Sequence, residues 1–286
     1  MNTPHPAPAP AHGTAALALH DVSAGYPRRP VLHGVSLPAV APGTLVAVLG
    51  PNAVGKSTLL RAIAGLRPAQ GHMTLGSTDL AALPSRERLR RVGYLPQALP
   101  QPTSLLAYEI LSSGLRASRP EWPAAQRQAA IEETMHTLDL APLALRRLDE
   151  LSGGQRQMIG LAQVIVRAPD LLLLDEPTSA LDLRWQLHLL QAVRALAERR
   201  GIVALVALHD LNLALRFCQQ ALVLGQGRAQ AVGAPADVLT AELLAAVWGV
   251  QARLERCAHG RPMLLADAAL PAPPLPLPPA TDAATP

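Results

Sequence analysis

Short runs of consecutive apolar residues alternate along this chain with longer stretches in which apolar residues recur every three or four positions. Three runs, at 45–49, 171–174 and 202–208, have the length and continuity of strands buried on both faces. The longer stretches predict helices at 57–64, 105–115, 124–140 and 152–165, and another after Asp182. Strands that alternate with helices in this way predict an α/β fold.

Two of the predicted helices carry an apolar stripe on one face. In the helix at 124–140 the stripe consists of Ile131, Met135 and Leu138. In the helix after Asp182 it consists of Leu183, Leu187, Leu190 and Val193. Because stripes at this spacing normally pack against a core, we expect both to be buried.

The two ends of the chain differ in composition from the part between them. Residues 1–14 are rich in Pro, Ala and His, and the last residues are rich in Pro. Such segments favour extended chain without a core, so we predict disordered tails at 1–14 and 269–286 around a folded domain at 15–268. Docking of the C-terminal tail to a partner is the alternative.

Composition narrows the class of protein. With 286 residues and 49 % hydrophobic content, the chain can bury one large core with a subdomain. It contains neither a run of about 18 uncharged apolar residues nor a basic residue before Arg28, so we expect no membrane span and no secretory signal. The net charge is only +4 and the arginines are scattered, so no nucleic-acid partner is expected.

Two cysteines, Cys218 and Cys257, predict a reducing compartment without a disulfide framework. Cys257 together with His259 could form half of a metal site, but no second ligand pair lies nearby in the sequence. We therefore interpret both cysteines as unpaired thiols.

A single lysine, Lys56, stands among 24 arginines. It belongs to the pattern G-x-x-x-x-G-K-[ST], the phosphate loop of nucleotide triphosphatases. The loop joins the strand at 45–49 to the helix at 57–64, where successive backbone N–H groups can converge on an anion. We expect a nucleotide to contact all of its residues, namely Gly50, Pro51, Asn52, Ala53, Val54, Gly55, Lys56, Ser57 and Thr58.

Within this loop, Gly50 and Gly55 allow backbone angles that other residues resist. Lys56 is expected to bridge the β- and γ-phosphates, and Ser57 to donate its hydroxyl to Mg²⁺. Ala53 occupies a position where a glycine is common, so we expect it to adopt a negative φ.

Two carboxylates follow the strand at 171–174. Because ligands bind at the carboxyl edge of a parallel sheet, we expect Asp175 to hold Mg²⁺ and Glu176 to act as the general base for the attacking water. Their side chains point to opposite sides unless the chain turns, and Pro177 indicates that it does.

Residues 151–157, Leu-Ser-Gly-Gly-Gln-Arg-Gln, begin a predicted helix and form a second anion site there. This heptapeptide resembles the signature of ATP-binding cassette (ABC) ATPases, and the other motifs follow in that family's order. The resemblance implies a P-loop NTPase fold of the ABC type. This fold has a RecA-like core, an N-terminal antiparallel β subdomain and an inserted helical subdomain at about 99–166.

The resemblance also implies the cofactors ATP and Mg²⁺ and further site residues. Gln97 would sense Mg²⁺ and the lytic water, His209 would touch the γ-phosphate, and Tyr26 would stack on adenine. A head-to-tail dimer would bring Ser152, Gly153, Gly154, Gln155 and Asp182 of one copy to the nucleotide of the other.

Without a membrane span of its own, the chain resembles an importer ATPase whose permease is a separate protein. Residues 208–214 and 233–250 are most similar to ATPases of iron-siderophore, haem and vitamin B12 importers. Ferric siderophore is the first candidate cargo, with haem or cobalamin as alternatives. The resemblance places the chain on the cytoplasmic face of the membrane, with permease subunits and, indirectly, a substrate-binding protein as partners. A regulatory ABC ATPase acting on nucleic acid or ribosomes is the alternative of another class.

Overall fold

The computed structural model describes residues 15–98 and 101–271, which form an α/β fold. Its strands are β1 Leu17–Tyr26, β2 Arg29–Val40, β3 Leu45–Leu49, β4 Ala69–Leu75, β5 Thr78–Asp79, β6 Val92–Leu95, β7 Leu171–Leu174, β8 Val203–Ala207, β9 Gln220–Gly225, β10 Arg228–Gly233, β11 Val250–Arg256 and β12 Pro262–Ala269. Its α-helices are α1 Lys56–Ile63, α2 Ser85–Arg91, α3 Ala107–Ser118, α4 Ala124–Thr137, α5 Gly153–Ile165, α6 Leu183–Arg200, α7 Leu211–Phe217, α8 Pro235–Val238 and α9 Ala241–Trp248.

A six-stranded sheet in the order β10-β9-β3-β8-β7-β6 forms the centre of the molecule. Its strands are parallel except β10, which pairs antiparallel with β9 at one edge. The predicted strands at 45–49 and 171–174 are confirmed, and the one at 202–208 is shorter, at Val203–Ala207. Because β3, β7 and β8 are parallel, the residues that follow them meet at one edge of the sheet.

Both faces of the central sheet are covered, and the side chains alternate between them. Along β3, Val46 and Val48 pack with α1 and with the antiparallel sheet β2-β1-β4-β5, while Leu45, Ala47 and Leu49 pack with the helices on the other face. Burial on both faces explains why β3 is apolar at every position.

A group of three helices, α3, α4 and α5, forms the region predicted as a helical subdomain. Ile131, Met135 and Leu138 are buried, as expected from their stripe. The predicted helix at 124–140 ends earlier, at Thr137, and the one at 105–115 is displaced to Ala107–Ser118.

The expected burial of Leu183 is wrong, since this side chain is 68 % exposed. Leu183 is the first residue of α6, next to the N-cap Asp182, and Leu189 is the first buried residue of the helix. Leu187, which was also expected to be buried, is therefore only partly buried. Leu190 and Val193, from the same predicted stripe, are buried as expected.

The side chain of Asn212 links the C-terminal hairpin of β11 and β12 to α7, in addition to the apolar contacts of Ala252, Leu254 and Leu264 with the core. Asn212 donates from Nδ2 to the Leu264 carbonyl at 3.2 Å, and its Oδ1 accepts from the Leu264 N–H at 2.8 Å.

Strand β12 ends at Ala269, one residue beyond the predicted domain end at 268. The N-terminal tail at 1–14 and all of the C-terminal tail after Pro271 lie outside the described residues.

Among the described helices, none combines the length and the apolar character needed to cross a membrane. Within the same residues, no group of three or more His, Cys, Asp or Glu side chains has an arrangement suited to a metal ion.

Cys218 is buried, and burial raises the pKa of its thiol to about 12. Cys257 is partly exposed, and both thiols are free.

Candidate active site

The phosphate loop connects β3 to α1, as predicted, and two of its glycines have positive φ. The φ angle is 144° at Gly50 and 113° at Gly55. A Cβ atom at Gly50 would lie 2.4 Å from the Leu224 carbonyl oxygen, and one at Gly55 would lie 2.6 Å from Leu32 Cδ2. Both backbone angle and space therefore require glycine at these two positions.

Ala53 also has a positive φ, of 61°, so the expectation of a negative φ at this position is wrong. The path of the loop requires a left-handed residue here, and alanine adopts that conformation at a cost of roughly 1–2 kcal/mol. Its side chain lines the cleft above the loop together with Gly55 and Lys56.

Lys56 lies inside the curve of this loop. Its Nζ donates to the carbonyl oxygens of Gly50 at 2.9 Å and Pro51 at 3.1 Å, and it lies 3.9 Å from Glu176 Oε1. Burial lowers the pKa of Lys56 from its ordinary value, and the carboxylates of Glu176 and Asp175 oppose that shift. The ammonium group is therefore buried in the loop, where the N–H groups of the loop can join it around a phosphate.

Ser57 and Asp175 are in direct contact. The Ser57 hydroxyl donates to Asp175 Oδ1 at 2.7 Å, and the Asp175 side chain is fully buried. The two residues come from α1 and from the end of β7, so the predicted Mg²⁺ ligands are brought together by the sheet.

Glu176 contacts the two other candidate catalytic side chains. Its φ of 50° makes the chain turn at Glu176 itself, one residue before the predicted turn residue Pro177. The Gln97 amide donates to Glu176 Oε2 at 2.8 Å, and His209 Nε2 lies 2.7 Å from Glu176 Oε1. The three candidate catalytic side chains thus meet at the carboxyl edge of the sheet.

Tyr26 stands at the entrance of the cleft, which has a volume of about 330 Å³. Its ring is 45 % exposed, and the Arg67 guanidinium lies 3.9 Å from the ring centre. An aromatic ring held by a cation at its face and partly open to solvent is suited to stacking on a base.

The signature residues start α5. Ser152 is the N-cap, and Ser152 and Gln155 cap each other in a capping box. Gly154 packs against Trp185 of α6 so closely that a Cβ atom would lie 2.6 Å from the indole ring, whereas a Cβ at Gly153 would meet no atom within 4 Å. Asp182 is the N-cap of α6 and accepts from the Trp185 N–H at 3.0 Å.

The hydrogen bonds of Ser152 and Gln155 stay within their own helical turn, and among the described residues no hydrogen bond joins this turn to the phosphate loop. The sequence-predicted site therefore forms two groups. One surrounds Lys56, and the other lies at the starts of α5 and α6.

The residues of the first group fit ATP and Mg²⁺. A hydroxyl, a carboxylate and a side-chain amide, from Ser57, Asp175 and Gln97, are the oxygen donors that Mg²⁺ prefers. The N-cap of α1 is Gly55, which has no side chain to occupy the N–H groups of the first turn. The first-turn residues Lys56, Ser57 and Thr58 line the cleft, and free N–H groups at a helix N-terminus are where proteins bind anions.

Sequence reasoning missed several residues of the site. Arg61 and Tyr94 contact Asp175, Arg67 contacts Tyr26, and Trp185 contacts Gly154. One signal for Arg61 was present, because it lies four residues after Ser57 on the same helix and thus on the same face.

Known proteins resemble this chain in sequence. The ABC transporter family model matches residues 32–179. Hemin import ATP-binding proteins HmuV are 41 % identical in Bordetella parapertussis and 40 % identical in Rhizobium meliloti. These similarities cover 78 % and 87 % of this chain and 88 % and 97 % of the relatives. The ferric enterobactin transport ATP-binding protein FepC of Escherichia coli is 33 % identical over 83 % of this chain and 88 % of its own.

Solved structures share the fold. One chain of an ABC transporter assigned to the metal-chelate type, in an inward-facing conformation, superimposes with a TM-score of 0.75 and 25 % identity. It covers 89 % of this chain and 98 % of its own length. A nucleotide-free ATP-binding cassette from an ABC transporter gives a TM-score of 0.68 at 23 % identity, over 77 % of this chain and 91 % of its own.

Proposed function

The chain belongs to the ABC transporter family, whose ATP-binding subunits are ATPases, and we propose that it hydrolyses ATP to drive import through a separate permease. The observation that carries the proposal is the meeting of Lys56, Ser57, Asp175 and Glu176 at one edge of the parallel sheet. At this edge the phosphate loop lies next to Glu176, the carboxylate that would activate the attacking water.

Nucleotide binding follows from the contacts around Lys56. The ammonium group exchanges the carbonyls of Gly50 and Pro51 for β- and γ-phosphate oxygens, with the N–H groups of the loop around them. Tyr26 stacks on adenine at the entrance of the cleft. Ser57, Asp175 and Gln97 hold Mg²⁺, which, when bound, neutralises charge on the phosphate oxygens.

Hydrolysis is assigned to Glu176. Its carboxylate accepts a proton from the water that attacks the γ-phosphorus, as the bond from that phosphorus to ADP breaks. Gln97 and His209 hold the two carboxylate oxygens, so the base is oriented before substrate arrives. His209 contacts the γ-phosphate when the nucleotide is present.

A second copy of the chain completes the site in this proposal. Ser152 is the N-cap of α5, and a helix N-terminus is suited to an anion. Asp182, the N-cap of α6, lies next to it because Gly154 of α5 packs on Trp185 of α6. In a head-to-tail dimer these residues close over the phosphates held by Lys56 of the other copy.

Haem is the cargo that we propose first, because the hemin importer ATPases are 40–41 % identical to this chain. Ferric siderophore is the second candidate, because FepC is 33 % identical. The ATPase works at the membrane surface in contact with permease subunits, and a substrate-binding protein delivers the cargo to them.

Uptake measurements test the proposal. Cells that carry Lys56→Ala in the chromosomal copy of this gene are compared with wild type for uptake of labelled haem, ferric siderophore and cobalamin. We expect haem uptake to fall at least ten-fold, because the phosphate loop loses its only ammonium group. Arg86→Ala, which removes an exposed cation from α2, serves as the matched control.

A loss of siderophore uptake instead of haem uptake would establish the second candidate. Unchanged uptake of all three, together with ATPase activity that RNA or DNA stimulates, would overturn the importer proposal in favour of a regulatory ATPase.

A further inference from the structure

The buried carboxylate of Asp175 has partners on both of its oxygens. Oδ1 accepts from the Ser57 hydroxyl at 2.7 Å, and Oδ2 accepts from the Tyr94 hydroxyl at 2.9 Å. A fully buried charged group is stable only when its oxygens are hydrogen-bonded, so each of these bonds matters.

A bound divalent cation would affect these two hydrogen bonds differently. The Ser57 hydroxyl is itself a proposed cation ligand, so its hydrogen must turn away from the side that faces the cation. The Tyr94 hydroxyl is bound to the opposite oxygen. It is therefore the side-chain partner that could keep holding the Asp175 carboxylate when Ser57 and Asp175 hold the cation.

Tyr94 is in turn held by Arg61. Arg61 Nε donates to the Tyr94 hydroxyl oxygen at 3.1 Å, which directs the hydroxyl hydrogen toward Asp175. Arg61 Nη2 also lies 3.7 Å from Asp175 Oδ2.

The three residues come from three elements that carry the site. Arg61 lies one turn after Ser57 on α1, Tyr94 lies on β6 three residues before Gln97, and Asp175 follows β7. A contact among them links the phosphate loop, the Gln97 segment and the strand that precedes Glu176.

We propose that Tyr94, oriented by Arg61, is a positioning residue that holds Asp175 for the divalent cation of the nucleotide. This inference rests on the proposed function. In metal sites generally, such partners of a ligand contribute about 10- to 100-fold to metal affinity.

The test separates nucleotide binding from cation binding. The affinity of purified protein for a fluorescent ATP analogue is measured with EDTA and with Mg²⁺, for wild type, Tyr94→Phe and Arg61→Gln. Binding of Mn²⁺ to the protein–nucleotide complex is followed by electron paramagnetic resonance. Tyr108→Phe, on α3 and outside the triad, is the matched control.

We expect Tyr94→Phe to bind the analogue as wild type does in EDTA, but about ten-fold more weakly with Mg²⁺, with an equal loss in Mn²⁺ affinity. Arg61→Gln should show a smaller loss of the same kind. Because Arg61 is 38 % exposed, this variant keeps the test informative should Tyr94→Phe fail to fold.

An unchanged gain from Mg²⁺ in both variants would overturn the inference. An equal loss with and without Mg²⁺ would also overturn it, because that result indicates a general structural role. If wild type itself bound no nucleotide in either condition, the proposed function would fail instead.

Discussion

Ala53 and Glu176 are residues with a Cβ atom that adopt the left-handed conformation inside the site, with φ of 61° and 50°. Such a conformation costs a non-glycine residue free energy and persists where the surrounding structure imposes it. At Glu176 it turns the carboxylate toward Gln97 and His209. At Ala53 it keeps the phosphate loop curved around Lys56.

Replacement of Ala53 by glycine should therefore stabilise the protein. We expect the free energy of unfolding of Ala53→Gly to rise by about 0.5–1 kcal/mol, because glycine has no left-handed penalty but gains entropy in the unfolded chain. Urea unfolding measures the change.

The control is the same substitution at Ala129, an exposed residue inside α4. There the free energy of unfolding should fall by about 1 kcal/mol, because the helical conformation gives glycine no advantage. Equal losses at both positions would show that Ala53 is not strained.

Contacts between elements decide how the signature turn is placed. The start of α5 packs against the start of α6, where Gly154 lies under the ring of Trp185. Asp182 accepts from the backbone N–H of Trp185, and the edge-on contact with His188 packs the Trp185 ring. The signature turn and the start of α6 are therefore one packed unit.

A methyl group at Gly154 should disturb this unit. We expect Gly154→Ala to lower the free energy of unfolding by about 1–3 kcal/mol, the usual cost of overpacking. Gly153→Ala should be neutral or stabilising by up to about 1 kcal/mol, since its Cβ would meet open space.

Both variants are compared by thermal unfolding monitored with circular dichroism. The double variant Gly154→Ala/Trp185→Leu should recover part of the loss if the clash with the ring is its cause. Equal stability of the two alanine variants would contradict the packing argument.

At the scale of the whole molecule, no hydrogen bond among the described residues joins the two groups of site residues, and the proposal joins them across two copies. Glu176→Gln should bind ATP, lose at least about 100-fold in hydrolysis through loss of the base, and remain as a closed dimer. Light scattering after size-exclusion chromatography with ATP and Mg²⁺ detects that dimer.

Adding Ser152→Ala to this variant should weaken the dimer, because in the proposed dimer Ser152 contacts the nucleotide of the other copy. Ser85→Ala, at the exposed start of α2, should leave it intact. Hydrolysis at the wild-type rate by Glu176→Gln, or a monomer in the presence of ATP, would refute the assigned base or the shared site.

The elements that depend on local pattern were predicted well. Strands at 45–49 and 171–174 have the predicted bounds because every position is buried on one face or the other. Helix bounds were less accurate, because caps decide them. Glu109 accepts from the Leu106 N–H and so starts α3 two residues later than the apolar pattern indicated.

The sequence by itself determined the phosphate loop, the paired carboxylates and the signature, because each depends on spacing within a few consecutive residues. Only the tertiary structure decided that Ala53 is left-handed, that Trp185 covers Gly154 and that Tyr94 and Arg61 contact Asp175. Tyr94 lies 81 residues from Asp175 and 33 from Arg61 along the chain. Contacts over such separations follow from the order of strands in the sheet, and no local pattern encodes them.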